Sequence, residues 1–508
     1  MTYKDFAAIA VNQLPTKLYS AEAVARLDQI AINDYGIPGY TLMRRAGQAV
    51  YDALKHHYSA VQSILVLCGA GNNAGDGYVI ARLAHGHGLG VRVVSMIDPH
   101  KLSGDARQAW LHWQECGETE RYHDDIKIEA DVIVDALLGT GLARDVEGDW
   151  RRLIIAVNRT AIPVISVDIP SGLNADTGAV SGVAINAERT VSFIGLKKGL
   201  FTGSGKTCTG EVVFDDLGLT DAVYDPVTAE AELLCYPAQW QLPRRQHDSH
   251  KGENGHVVII GGNYGMPGAV GLAARAALRS GAGLVSVVTR KEHINAVVAV
   301  CPESMVHRSF NGELSPELVD NADYIAIGCG LGQDAWAQRL LYTAFNSTRS
   351  MVVDADALNL LAKMEQALLT KDSVITPHPG EASRLLQMPT TAIQQDRFAA
   401  AQYLEQKYNA QVVLKGSGTI IQQGSDTYVS ARGNPAMATA GMGDVLTGMI
   451  ASIAAQQAAM ARDVRGAVIS AVCLHALAGD IAAQGDDRGL LATDVIEHIR
   501  QAARYEVE

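Results

Sequence analysis

Three short segments in the first half of the chain concentrate side chains able to hold an anion, bind a cation and move a proton. GAGNNAGDG (69–77) follows an apolar run and precedes a helical pattern. Backbone N–H groups at that helix start, with its positive dipole end, form a cradle for a phosphate. Asn72, Asn73 and Asp76 stand among the glycines. Their amides and carboxylate add donors, acceptors and cation-binding oxygens that a tight turn does not require. DALLGTG opens on Asp135 at one strand end, and DIPSG places Asp168 and Ser171 at the end of the next. Taken singly, a glycine-rich turn can be free of ligand and an Asp or Ser can be a helix cap. Taken together, loops after successive parallel strands open on one edge of the sheet, where ligands of open α/β folds bind.

The second half carries its own set. In NPAMATAGMGDVLTG (434–448), Ala440 to Gly443 open a helix and Asp444 sits in its first turn. N–H groups there can stabilise negative charge on a phosphoryl group in transfer, and Asp444 can accept the proton of an attacking hydroxyl. A plain acidic residue favoured by the helix dipole is the alternative. KGSGT (415–419) follows the strand QVVL. Its glycines let backbone approach an adenylate and Lys415 offers a positive charge, unless it is a surface lysine in a hairpin turn. TPHPGE (376–381) puts His378 between two prolines, in a stiffened loop rather than on an apolar helix face.

The elements that position these residues follow from the pattern of apolar runs. Ser63 to Ile97 reads strand, glycine-rich loop, helix, strand, which implies parallel pairing. Further strands lie in DVIVDALLG, IPVISVDIPSG and TVSFIGLKKG. From Val223 to Gln246 the pattern weakens into a stretch with three prolines and paired arginines, which reads as a linker. A second strand series starts at HVVIIGG and continues through LVSVV, YIAIG, MVVDADAL, SVITPHPGE and QVVLKGSG. The expected organisation is two α/β domains, residues 1–225 and 226–508, each with helices on both faces of its sheet. The 508-residue length and 49 glycines suit that division. A formal charge of -13 opposes nonspecific contact with nucleic acid or an anionic membrane. Seven scattered cysteines without CxxC spacing read as reduced thiols of a cytoplasmic protein. Neither a leader segment nor a membrane span is expected, the apolar run Val445 to Ala455 reading as a buried helix.

GAGNNAGDG, DALLGTG and DIPSG resemble the motifs of the NAD(P)H-hydrate epimerase family, over roughly residues 15–220. The resemblance implies a Rossmann-like domain. It implies substrate contacts from Asn72, Asn73, Ala74, Gly75 and Asp76, and from Gly139, Thr140, Gly141, Leu142, Ala143, Arg144 and Asp145. It places Asp168 beside the reacting nicotinamide as the catalytic group, and a potassium ion on Asn73, Asp135 and Ser171. The family commonly has Gly where this chain has Ala74. HKGENGH, IGGNYGMPGA, TPHPGE and the GMGD helix start resemble the ribokinase-like superfamily, in particular its NAD(P)H-hydrate dehydratase branch, over roughly residues 240–500. That implies nucleotide binding by Lys415, Gly416, Ser417, Gly418, Thr419 and Gly443. It implies substrate contacts from Ala269, Gly332, His378 and Asp444, with Asp444 the base. ADP is the expected co-substrate, with ATP as the alternative nucleotide and magnesium on its phosphates. Hydrated NADH and NADPH and further copies of the chain are the expected partners. The competing readings are a small-molecule kinase of the ribokinase type and a non-catalytic, cofactor-sensing amino-terminal domain.

Overall fold

The structure is a computed structural model that describes residues 14–142, 144–235, 245–364 and 369–504. It divides into two compact units, Met1–Leu233 and Leu234–Glu508. The division falls a few residues beyond the expected 225/226 boundary. Residues on its amino-terminal side are drawn into the first unit because β10 (Ala231–Leu234) pairs antiparallel with β1 (Lys17–Tyr19). Tyr236 to Arg244 of the expected linker lie outside the described residues.

In the first unit, helices α1 (Ala21–Asn33) and α2 (Gly39–His57) precede a seven-stranded sheet. Its strands are β2 (Ser63–Cys68), β3 (Gly90–Ser95), β4 (Thr119–Arg121), β5 (Val132–Ala136), β6 (Val164–Val167), β7 (Arg189–Phe193) and β9 (Glu211–Asp215). The order β4-β3-β2-β5-β6-β7-β9 is parallel throughout. β2 shows why both faces are covered. Ile64, Val66 and Cys68 belong to one core with α1, α2, α3 (Asn72–Gly86) and α4 (Gly104–Gln114). Leu65 and Leu67 belong to another with α5 (Gly148–Asn158). Alternation along a strand sends successive side chains to opposite faces, so the unit is a three-layer sandwich. The chain order reverses direction between β2 and β5, a topological switch point that opens a crevice at the strand ends. Gly69 is placed there because a Cβ would lie 1.6 Å from the Leu137 carbonyl oxygen.

The second unit repeats the plan. Strands β11 (His256–Ile260), β12 (Leu284–Thr289), β13 (Met305–Arg308), β14 (Tyr324–Ile327), β15 (Met351–Val353), β16 (Val374–Ile375) and β17 (Gln411–Leu414) run parallel in the order β13-β12-β11-β14-β15-β16-β17. Antiparallel β18 (Ile420–Gln423) and β19 (Asp426–Ser430) extend the sheet. The reversal between β11 and β14 again sets a crevice at the strand ends. One face is covered by helices α6 (Pro267–Arg279), α10 (Met442–Ala459), α11 (Arg465–Ala483) and α12 (Ala492–Ala502), which share a core with Val257 and Ile259. Helices α7 (Ala335–Phe345), α8 (Pro379–Leu386) and α9 (Arg397–Tyr408) follow β14, β16 and the chain leading to β17. α11 is long and apolar enough to cross a membrane, with mean hydropathy 1.7, contrary to the expectation that no segment would be. With 78% of that stretch buried inside the fold, it is a core helix.

Candidate active sites

In the first unit the loops after β2, β5 and β6 and the turn after β7 line one cavity of about 710 Å³. Of the residues that the resemblance implies as substrate contacts, Asn72, Asn73, Asp76, Gly139, Thr140, Gly141, Leu142, Arg144 and Asp168 line it. Ala74 and Gly75 do not: Ala74 is fully buried in the core, and a Cβ on Gly75 would strike Met43 and Ala106. The glycine-rich segment is itself the first turn of α3, so every third or fourth residue turns inward. Asp145 also stays outside the lining, and Ala143 lies outside the described residues.

Beneath the cavity, Asp135 is completely buried. It accepts hydrogen bonds from Ser171 Oγ at 2.6 Å, Ser171 N at 2.9 Å and Ser166 Oγ at 2.8 Å. Burial pushes this carboxyl up, and those donors oppose the rise. Ser171 Oγ in turn accepts from Leu138 N at 2.8 Å, and Asn73 Nδ2 donates to the Leu138 carbonyl at 3.1 Å. The three residues expected to hold a cation are thus joined through Leu138.

Asp168 has a left-handed backbone, φ 67. An aspartate tolerates that conformation better than most residues, yet it is held here by specific bonds. Its N–H donates to Val191 O at 2.7 Å, and Phe193 N donates to Oδ1 at 3.2 Å. Lys197, fully buried on β8 (Leu196–Lys197), makes an ion pair with the same Oδ1. Asp28 from α1 and Asp105 from α4 also line the cavity. Burial, with Asp168 and Asp28 nearby, pushes Asp76 well above the usual carboxylate range. Burial, then Asp105 and Asp168, raises Asp28 as well.

In the second unit α10 starts from Gly441, whose φ of 90 favours glycine, and Asp444 sits in the first turn. Burial and the nearby Asp354 push the Asp444 carboxyl up to about 6, while a hydrogen bond from the Cys329 thiol and the charge of Lys415 hold it from going further. Lys415 Nζ bonds Asp354 Oδ1 at 2.7 Å and lies 3.8 Å from Glu381. Thr447 Oγ1 donates to the other Asp354 oxygen at 2.8 Å. A Cβ on Gly443 would lie 3.5 Å from Lys415 Nζ, so the GMGD and KGSG segments meet at this ammonium. The KGSG turn is fixed from below by Arg397, which is 1% exposed. Its guanidinium donates to Leu414 O at 3.1 Å and to Lys415 O and Gly418 O at 3.4 Å. Thr419 Oγ1 closes the turn onto Gly416 O at 3.2 Å.

Gly332 donates its N–H to Asp356 at 2.8 Å, and Asp356 contributes to the field at Asp444. Ala269 packs beside Gly330 in the same glycine-rich loop. His378 is the N-cap of α8 rather than part of a loop: Nδ1 accepts from Gly380 N at 3.0 Å, and Glu381 returns a bond to His378 N at 2.8 Å. Pro379, at the first helical position, explains why two prolines start a helix here. The imidazole is still half exposed at the site, and burial and Lys415 lower its pKa.

Residues 39–199 match the model of the YjeF-related protein N-terminus, and residues 257–501 match that of NAD(P)H-hydrate dehydratase. The bifunctional NAD(P)H-hydrate repair enzyme Nnr of Coxiella burnetii is 43% identical over 492 residues, covering 96% of this chain and 99% of that protein. Its namesake in Escherichia coli is 40% identical, covering 97% and 95%. The chain belongs to the bifunctional NAD(P)H-hydrate repair enzymes. The second unit also has a ribokinase-like fold. A ribokinase-like superfamily protein of Enterococcus faecalis is 32% identical with a TM-score of 0.50, covering 54% of this chain and 95% of that one.

As a repair enzyme the chain has charged groups at these sites that sequence reasoning missed. Asp28 and Asp105 stand outside the three motifs and Lys197 lies beyond them in IGLKKG, and only the fold brings all three to the cavity that holds Asp168. Asp354 ends β15 as Asp135 ends β5, a signal that was there to be used. Arg397 carried another: a cation at the first position of a helix runs against the dipole, which implies a local partner for its charge.

Proposed function

We propose that the first unit interconverts the R and S epimers of hydrated NADH and NADPH, and that the second dehydrates the S epimer with ADP, releasing AMP and phosphate. The observation that carries this reading is the paired arrangement: Asp168 in a cavity lined by an anion-binding helix start, and Asp444 poised near neutrality beside Lys415. ATP is the alternative nucleotide. The kinase alternative leaves the first cavity and its carboxylates without a reaction.

In the second unit the Asp444 carboxylate takes the proton of the ring C6 hydroxyl, whose oxygen attacks the terminal phosphate of the nucleotide and displaces AMP. The ring nitrogen lone pair then expels phosphate, and loss of a proton from the adjacent carbon restores the double bond. Lys415 and the N–H groups at the start of α10 stabilise the phosphoryl charge in transfer. Magnesium would neutralise the nucleotide phosphates on which this transfer acts.

In the first unit the buried Asp135 carboxylate, the Ser171 hydroxyl and the Asn73 amide form an oxygen-rich set suited to a hard monovalent cation. A potassium ion held there would compensate the buried negative charge and brace the three loops. Seven free thiols, six of them buried, fit a cytoplasmic setting. Following each hydrate epimer by chromatography, with and without ADP, tests the reading. R–S interconversion without nucleotide is expected and, with it, loss of both epimers, the R form by way of the S; an accumulating phosphorylated alcohol in place of NADH or NADPH would refute it.

A further inference from the structure

Inverting a carbon by breaking and remaking its C–O bond requires two proton transfers on opposite ring faces. The departing oxygen must receive a proton, and the arriving water must lose one. Asp168 alone offers one carboxyl. This inference rests on the epimerase reading of the first unit.

The two oxygens of Asp168 are not equivalent. Oδ1 takes both the Lys197 ammonium and the Phe193 N–H. Lys197 is itself anchored, donating to Ser192 Oγ at 3.2 Å and Phe193 O at 3.1 Å. All three donors of the ammonium are therefore directed, on a side chain with no exposed surface. Asp76 reaches the same cavity from the start of α3, the helix that follows β2, with β5 standing between β2 and β6, whose following loop carries Asp168. We propose that Lys197 is a positioning residue that holds the Asp168 carboxylate in place as the proton acceptor, and that Asp76 is the proton donor of the epimerisation. The charged groups around Asp76 fit that role. Asp28 from α1, Asp105 from α4 and Asp168 are acidic, Arg144 also lines the cavity, and among the described residues the one ammonium in its wall, Lys197, is bonded to Asp168. Burial and its acidic neighbours favour the protonated form of Asp76. Two carboxyls in one site with protonation states driven apart make an acid and base pair.

The step balances without a further reactant. The Asp76 carboxyl gives its proton to the C6 hydroxyl, the C–O bond breaks with release of water, and the ring nitrogen lone pair forms a C=N bond. Water then adds at C6 from the other face and gives its proton to Asp168. Proton exchange with solvent resets the pair, and the reverse reaction uses the same groups with roles exchanged.

The test uses the full chain, whose dehydration of pure S epimer reports that each variant is folded and active in its other unit. Lys197→Met is expected to lower the epimerisation kcat about 10- to 100-fold with little change in KM, the scale of a small misplacement of a reacting group. Lys197→Arg should recover part of the rate. Asp76→Asn should lose turnover while keeping substrate binding. Near-normal kcat in Lys197→Met, or no recovery in Lys197→Arg, would overturn the positioning role, and full turnover in Asp76→Asn would overturn the donor role. No R–S interconversion by the unaltered chain would instead remove the epimerase reading itself.

Discussion

Asp444, the proposed base of the dehydration, is also a liability to stability. A free aspartate titrates near 3.8 and this one near 6, so the folded chain takes up a proton between those values. Stability is therefore lost as pH rises through that window. Asp444→Asn should abolish dehydration by about 10²-fold or more. It should also stabilise the second unit at pH 7 by about 2 kcal/mol, a gain that disappears below about pH 4. Thermal unfolding at several pH values checks the second part; a destabilised variant would mean that Asp444 is chiefly structural. In the unaltered enzyme, dehydration should rise with pH through about 6, as the base ionises. Asp168→Ala should slow R-epimer conversion by about 10²-fold while sparing nucleotide-dependent dehydration of S epimer. Assays on the separate epimers distinguish these outcomes. Both aspartates were legible in the sequence because each ends a strand or opens a helix, places where an acid is conspicuous. Lys197 was not, since a buried cation on a short strand is recognisable only once its acceptors have been folded around it.

At the scale of elements, Arg397 on α9 is the brace of the nucleotide turn, drawing three carbonyls of 414–418 onto one guanidinium. Burial lowers its pKa to about 10, which still leaves it charged at neutral pH. Arg397→Met should loosen the turn, raise the nucleotide KM about 10-fold and leave kcat nearly unchanged, because a carbonyl stripped of its donor costs about 1–3 kcal/mol. Calorimetric titration with ADP reads this directly, and unaltered affinity would show that the turn holds itself. The strand series and both βαβ starts were readable, since short apolar runs alternate with glycine-rich turns. Element ends were less so. α3 begins inside the glycine-rich segment, hiding Ala74 and Gly75 in the core, and His378 caps a helix that its two prolines seemed to forbid. α11 was unreadable as a core helix because its apolar face has no polar counterpart: neighbouring elements bury it on nearly every side.

For the whole molecule, two units with separate chemistry on one chain fit a division of labour in which one unit turns the R epimer into the form the other consumes. The proposed cation set lies in the first unit. Replacing potassium with tetramethylammonium should therefore depress epimerisation and leave S-epimer dehydration largely intact; equal rates in both salts would contradict a bound potassium at Asn73, Asp135 and Ser171. The most direct test of the central claim is recovery of dihydronicotinamide absorbance from an equimolar mixture of R and S hydrates. With ADP, the unaltered chain should recover all of it. Asp168→Ala should recover about half quickly and the remainder only at the slow rate of spontaneous epimerisation, and Asp444→Asn should recover almost none. Complete, equally fast recovery by Asp168→Ala would contradict the account, as would recovery by the unaltered chain without any nucleotide.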